Sequence, residues 1–208
     1  MTAIRIVALA TLMAIVAAIV AAQEPEELVI DPGQTTITLH VGRAGVFAFA
    51  GHDHEVVVPA VRGQIALNRP DVGRSTVSAT FDATALKVTG KGEPLEDVPE
   101  VQRVMLSDRV LDVQRHPTIT FQSRQVSVVK QSADQMTLRI TGDLTLHGVT
   151  RPLDVPVTVE LTADGLRANG KTTVQQSQFG IRPVTAGAGT VRVKDEVEVM
   201  FSIAAKRR

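Results

Sequence analysis

The chain has 208 residues, with 22 basic and 22 acidic side chains, no cysteine, no tryptophan, no tyrosine and only six phenylalanines. Balanced charge excludes the broad basic face that a nucleic-acid partner would need. The lack of cysteine excludes disulfides, thiolate metal sites, a cysteine nucleophile and a lipidated cysteine.

The N-terminal segment over residues 1–22 reads as a signal peptide. Arg5 precedes an apolar run from Ile6 to Val20, and Val20-Ala21-Ala22 supplies the small residues of a cleavage site. Cleavage is expected after Ala22, leaving residues 23–208 as one domain in the periplasm or secreted. Losing Arg5 makes that domain slightly acidic. The rival expectation is a retained anchor, because Ile6–Ala22 only just approaches the roughly 20 apolar residues that span a bilayer.

Strand signals fill the rest. Thr35–Val41 alternates, with Ile37, Leu39 and Val41 on one face and Thr36, Thr38 and His40 on the other. Gly42-Arg43-Ala44-Gly45 reads as a hairpin turn. Phe47–Val58, with sequence FAFAGHDHEVVV, follows and carries His52 and His54 on one face of an extended segment. Val61–Leu67 is a further strand, Asn68–Gly73 a loop around Pro70, and Ser75–Leu86 another strand. Asp97–Asp108 differs: Val101, Val104 and Met105 recur at helical spacing behind a capping Asp97, which predicts one short helix packed on a strand or over an opening.

Thr118–Val129 is a strand whose apolar parity switches near Ser123–Val126, the mark of a bulge. Met136–His147 alternates most cleanly, with Met136, Leu138, Ile140, Leu144 and Leu146 on one face. Pro152–Thr162 repeats the pattern, but Pro156 on its polar face predicts an edge or a bulge there. Asp164-Gly165 is a turn, Leu166–Val174 a strand, and the chain closes on the alternating Val191–Ile203. Lys206-Arg207-Arg208 reads as a solvated tail. Eight to ten one-sided antiparallel strands must either stack as a sandwich or close into a barrel. The inward positions hold Val, Ile, Leu, Ala and Thr with few rings, so a barrel would have an incompletely filled interior.

Several stretches resemble the YceI-like family in order and over nearly the whole exported domain. VIDPGQTTITLHVGRAGVFAFAGHDHEV is similar to its opening strands, VRGQIAL to the third, and EVQRVMLSDRVLDVQRHPTITFQSRQV to its helix and following strand. GDLTLHGVTRPLDVPVTV, with Leu144-Thr145-Leu146-His147-Gly148-Val149-Thr150-Arg151-Pro152, is the most specific piece, and SQFGIRP resembles a late signature. The resemblance implies an all-β, eight-stranded antiparallel lipocalin-like barrel with one short helix. It implies a non-enzymatic carrier that holds an apolar, polyisoprenoid-type lipid inside, with transient contact with the membrane.

The candidate ligand-binding residues are the rings Phe47, Phe49, Phe81, Phe121 and Phe179, with His52, His54 and His147 as polar contacts at a rim. An alternative makes His52 and His54 a metal pair, for which His147, His40, Asp53 or Glu55 would supply a third ligand. His116, locked extended before Pro117, reads as structural. No nucleophile elbow, phosphate loop or HExxH stretch occurs. No catalysis, no cofactor and no nucleic-acid partner are therefore expected.

Overall fold

Alternating residues give the chain strands that can bury only one face, and the fold joins them edge to edge until that face is enclosed. The computed structural model describes residues 24–44, 53–59, 61–132, 135–186 and 191–207. The signal-peptide expectation lies outside these residues. None of the described helices is long and apolar enough to cross a membrane.

The strands are β1 (Glu26–Ile30), β2 (Thr36–Ala44), β3 (His54–Val57), β4 (Val61–Leu67), β5 (Thr76–Asp82) and β6 (Lys87–Val88). One helix, α1 (Val98–Leu106), precedes β7 (Thr118–Gln131), β8 (Met136–Leu146), β9 (Val149–Leu161), β10 (Gly165–Gln175), β11 (Thr185–Ala186) and β12 (Val191–Arg207). All pairings are antiparallel. Following neighbours through β1, β4, β5, β7, β8, β9, β10 and β12 returns to β1, so eight strands close into a barrel. The sandwich alternative is thereby excluded. β12 is long enough to pair with β2 and then with β1 along the same edge. From it, β2, β3 and β6 extend as an extra tier whose apolar residues turn onto the same interior.

The closing seam is short, with only Leu28, Val29 and Ile30 paired to β12. Leu28 is 0 % exposed, which anchors the seam from inside. From outside, Glu26 receives Arg69 at 2.6 Å and Arg207 on its other oxygen. Lys206 reaches Asp31 at 2.8 Å beside it.

Several sequence expectations meet a local cause. The bulge lies between Ser123 and Gln125, where β7 shifts register against β8. β8 and β9 form a two-residue hairpin: His147 and Gly148 have φ of 51° and 73°, as its tight turn requires. Counting pairs from that turn, Pro152 and Pro156 turn their ring nitrogens away from β8, toward β10. β9 pairs with β10 only from Val157 to Leu161, so Pro156 sits where β9 becomes an edge. Thr172 Oγ1 spans part of this gap to the Asp154 carbonyl at 3.0 Å.

Four expectations need correction. Lys206 and Arg207 are not a solvated tail but the end of β12, paired with β1 and ion-paired to Asp31 and Glu26. Gly42–Ala44 is not a turn but the end of β2, held by its ladder to β12. Ser75–Leu86 is not one strand: the Asp82 carboxylate accepts from the Thr84 N–H at 2.9 Å and folds Ala83–Ala85 into a 3-10 turn. Asp97 precedes α1, but its side chain caps nothing. Five-residue β1 is too short for alternation to reveal.

Arg69 first and Arg207 second hold the Glu26 carboxyl down, from the usual 4.5 to about 2. A depressed folded-state value contributes stability above the unfolded value, lost as pH falls through the folded one. Glu26→Gln is therefore expected to lower the urea midpoint at pH 7. The gap from wild type should close as pH drops from about 4.5 toward about 2, which parallel urea titrations at several pH values will read.

Candidate functional site

The inward residues do not fill the barrel. They leave one cavity of about 300 Å³ among the described residues' interior. That is at the lower end of the roughly 300–1,000 Å³ usual for ligand sites. Its wall is drawn from almost every strand of the ring, for example Ile65, Val77, Leu138, Val155 and Val199. Among the described residues, its only polar lining is Ser75, Thr172 and Gln176. Gln176 is buried and spends its amide on the Lys194 carbonyl at 2.8 Å.

Two structural devices keep the wall apolar. At the β7 bulge, buried Ser123 turns inward and its hydroxyl accepts the Val77 N–H at 2.8 Å, so no ladder group is orphaned there. At the edge of β6, Gln102 of α1 accepts from the Val88 N–H at 2.8 Å and donates to the Leu86 carbonyl at 2.9 Å. These bonds pin the helix there; Met105 beneath it, with Val110 and Leu111 beyond it, completes the lining. Of the two expected placements, packing on a strand is the one these bonds account for, with α1 held on β6.

Among the sequence candidates, Phe81 and Phe121 line the cavity, and Phe201 joins them. Phe121 lies against Gly142, where an added Cβ would stand 2.5 Å from its Cζ. Phe179 is buried in the core, but it is not part of the cavity wall. Phe47, Phe49 and His52 lie outside the described residues. His54 begins β3, and its Nδ1 meets Glu93 Oε2 at 2.9 Å. The Glu93 side chain is 0 % exposed. Its other oxygen has no partner among the described residues. His40 stands 3.8 Å from Glu55, whose carboxyl is held below its usual range chiefly by Lys91.

His147 lies on the β8–β9 turn with Nδ1 3.2 Å from the Phe179 carbonyl. Its neighbour is not His54 but His116, ring centroids 5.0 Å apart and edge to face. With Asp112 these two form a group whose ligand-capable atoms lie within 4.8 Å of one another, the only such group of three among the described residues. The sequence reading missed Asp112 and Glu93 altogether. Asp112-x3-His116 carried a faint signal, one helical turn of spacing before a proline; Glu93 carried none.

A family model described as a YceI-like domain matches residues 28–205. A UPF0312 protein of Pseudomonas aeruginosa is 33 % identical over 138 residues, 61 % of this chain and 67 % of that protein. One from Pseudomonas putida is 36 % identical over 128 residues, 58 % of this chain and 65 % of that protein. The matched region thus spans about two thirds of these relatives' length.

Among solved structures, Burkholderia cenocepacia BcnA superposes with a TM-score of 0.64 at 17 % identity, covering 84 % of this chain and 98 % of that one. A polyisoprenoid binding domain from Saccharophagus degradans, implicated in plant cell wall breakdown, gives 0.64 at 11 % identity, covering 87 % and 98 %. A Campylobacter jejuni YceI protein gives 0.56 at 12 % identity, covering 74 % and 85 %. At such identities the likeness establishes the barrel.

Gly142→Ala is expected to push the Phe121 ring off its seat and to cost roughly 1–3 kcal/mol, as overpacking does. A lower urea midpoint with an unchanged slope is the expected reading.

Proposed function

The chain belongs to the YceI-like domain family, and we propose that it is a carrier that holds an apolar lipid of isoprenoid type inside its barrel. The observation that carries this reading is the cavity wall, aliphatic and aromatic except at Ser75, Thr172 and Gln176. Water has few partners along such a wall. A hydrocarbon chain entering it gains roughly 25 cal/mol per Å² of apolar surface taken from water. Methyl-branched prenyl chains suit a wall built from branched aliphatics and three phenyl rings. A structural relative, the polyisoprenoid binding domain of Saccharophagus degradans, supports the same ligand class.

Phe81 and Phe121 serve as ring contacts in this reading, and His54 and His147 stay outside the wall as rim residues. His54 belongs to no group of three candidate ligands among the described residues, so the alternative of a His52–His54 metal pair gains no support there. Residues 1–22 direct export, and the loaded barrel meets the membrane only transiently. The function is binding and transfer, with no reaction of its own.

Delipidated protein is expected to bind farnesol or geranylgeraniol one to one, measured by displacement of a fluorescent apolar probe. Ala168, on the cavity wall, is the position to block. A folded Ala168→Phe protein should bind at least about tenfold more weakly, since one ring fills space the ligand needs. Wild-type protein that binds neither alcohol, or a folded Ala168→Phe protein that binds as tightly as wild type, would contradict the reading.

A further inference from the structure

The side chains of Asp112, His116 and His147 converge without hydrogen-bonding to one another. The His116 N–H donates to the Asp112 carbonyl at 2.8 Å, closing one helical turn that sets the two side chains on the same side. The β8–β9 hairpin brings His147 to them from the other direction. Their donor atoms lie within 4.8 Å of each other. Yet neither imidazole forms an ion pair or hydrogen bond with the carboxylate, whose one ion-pair partner is exposed Arg115 at 3.4 Å. Hydrogen-bonded partners would sit near 3 Å. Ligands arranged around a shared cation stand apart in this way and close in when it binds.

Three further features fit a cation. A backbone carbonyl can only accept, so the 3.2 Å contact to the Phe179 carbonyl fixes the proton of His147 on Nδ1 and leaves Nε2 with a free lone pair. Metal-binding histidines are oriented in this manner. Gly148 has no Cβ where the His116 ring lies; one would stand 2.6 Å from Cε1. Finally, Asp112 has a φ of 45° outside any hairpin turn. One of the three donors is thus held on sparsely populated backbone, which packing around a functional site sustains.

We propose that Asp112, His116 and His147 bind a divalent transition ion of the zinc class. Two imidazole nitrogens and one carboxylate oxygen suit such an ion, with one coordination position left to solvent or an anionic group. The ion would tie the loop after α1 to the β8–β9 turn. Val110 and Leu111 in that loop, and Leu146 before the turn, all line the cavity. Metal would therefore clamp one end of the barrel. The site itself stands independently of the lipid reading, because its donors come from two loops and not from the cavity wall.

The test is titration of the full chain, purified without a histidine tag and stripped with chelator, with Zn²⁺ alone by calorimetry and native mass spectrometry. One ion per chain is expected, with a raised melting temperature. His147→Asn keeps a turn residue that tolerates positive φ, and Asp112→Asn does the same at the other positive-φ position. Each should fold as wild type and bind Zn²⁺ at least about tenfold more weakly, one missing ligand apiece. His116→Ala, on ordinary backbone, supplies a third variant if either asparagine chain misfolds. No Zn²⁺ binding by wild type, or binding unchanged in these variants and lost in His54→Ala, would overturn the proposal. Prenyl-alcohol binding measured in the same samples reports on the carrier reading separately.

Discussion

Closing eight alternating strands on themselves sends every second side chain inward, and this chain sends residues too small to fill the space. It has no tryptophan or tyrosine and only six phenylalanines. Protein interiors normally pack like organic crystals, and an apolar void forfeits contacts on its lining. A barrel of this size could have been filled with larger rings. The cavity is therefore a consequence of composition and closure together, bounded by the strands of the ring and by residues of α1 and the loop after it.

Each break in the ladder is met by a specific polar group. Glu26 with Arg69 and Arg207 supports the shortest pairing, where β1 meets β12. Ser123 accepts the N–H that the bulge would otherwise strand. Gln102 does both jobs, donor and acceptor, at the edge of β6. At Pro152 and Pro156 no N–H exists to be orphaned on the side where β9 leaves β10. The polar residues sit in the rim and the seams, and the apolar ones face the cavity. This separation keeps the Asp112–His116–His147 group at one end of the barrel apart from the apolar cavity wall.

Much of this was legible in order along the chain. The strands β4, β8 and β10 follow their alternation, the parity switch near Ser123 marks the bulge, and Pro156 marks an edge. Closure was not legible from alternation, which fixes which face is buried and not what it is buried against; the resemblance to the YceI-like family supplied the eight-stranded barrel. Turn chemistry misled at Gly42–Ala44, where a ladder to distant β12 outweighed local glycine content. The candidate site divided in the same way. Phe81 and Phe121 were candidates as large apolar rings and do line the cavity, whereas the grouping of His147 with His116 and Asp112 depends on two loops meeting in space. In His52-Asp53-His54 the first histidine lies outside the described residues, and His54 bonds Glu93, a partner far along the chain that no local spacing reveals.

The central claim is that the apolar ligand sits inside the barrel. Intermolecular nuclear Overhauser effects between bound farnesol and methyl- and ring-labelled protein test it most directly. The account predicts contacts from the prenyl methyls to Phe81, Phe121, Phe201 and Leu138 on the cavity wall. Contacts confined to exposed apolar groups such as Leu95 and Val129, with none to those interior residues, would contradict it.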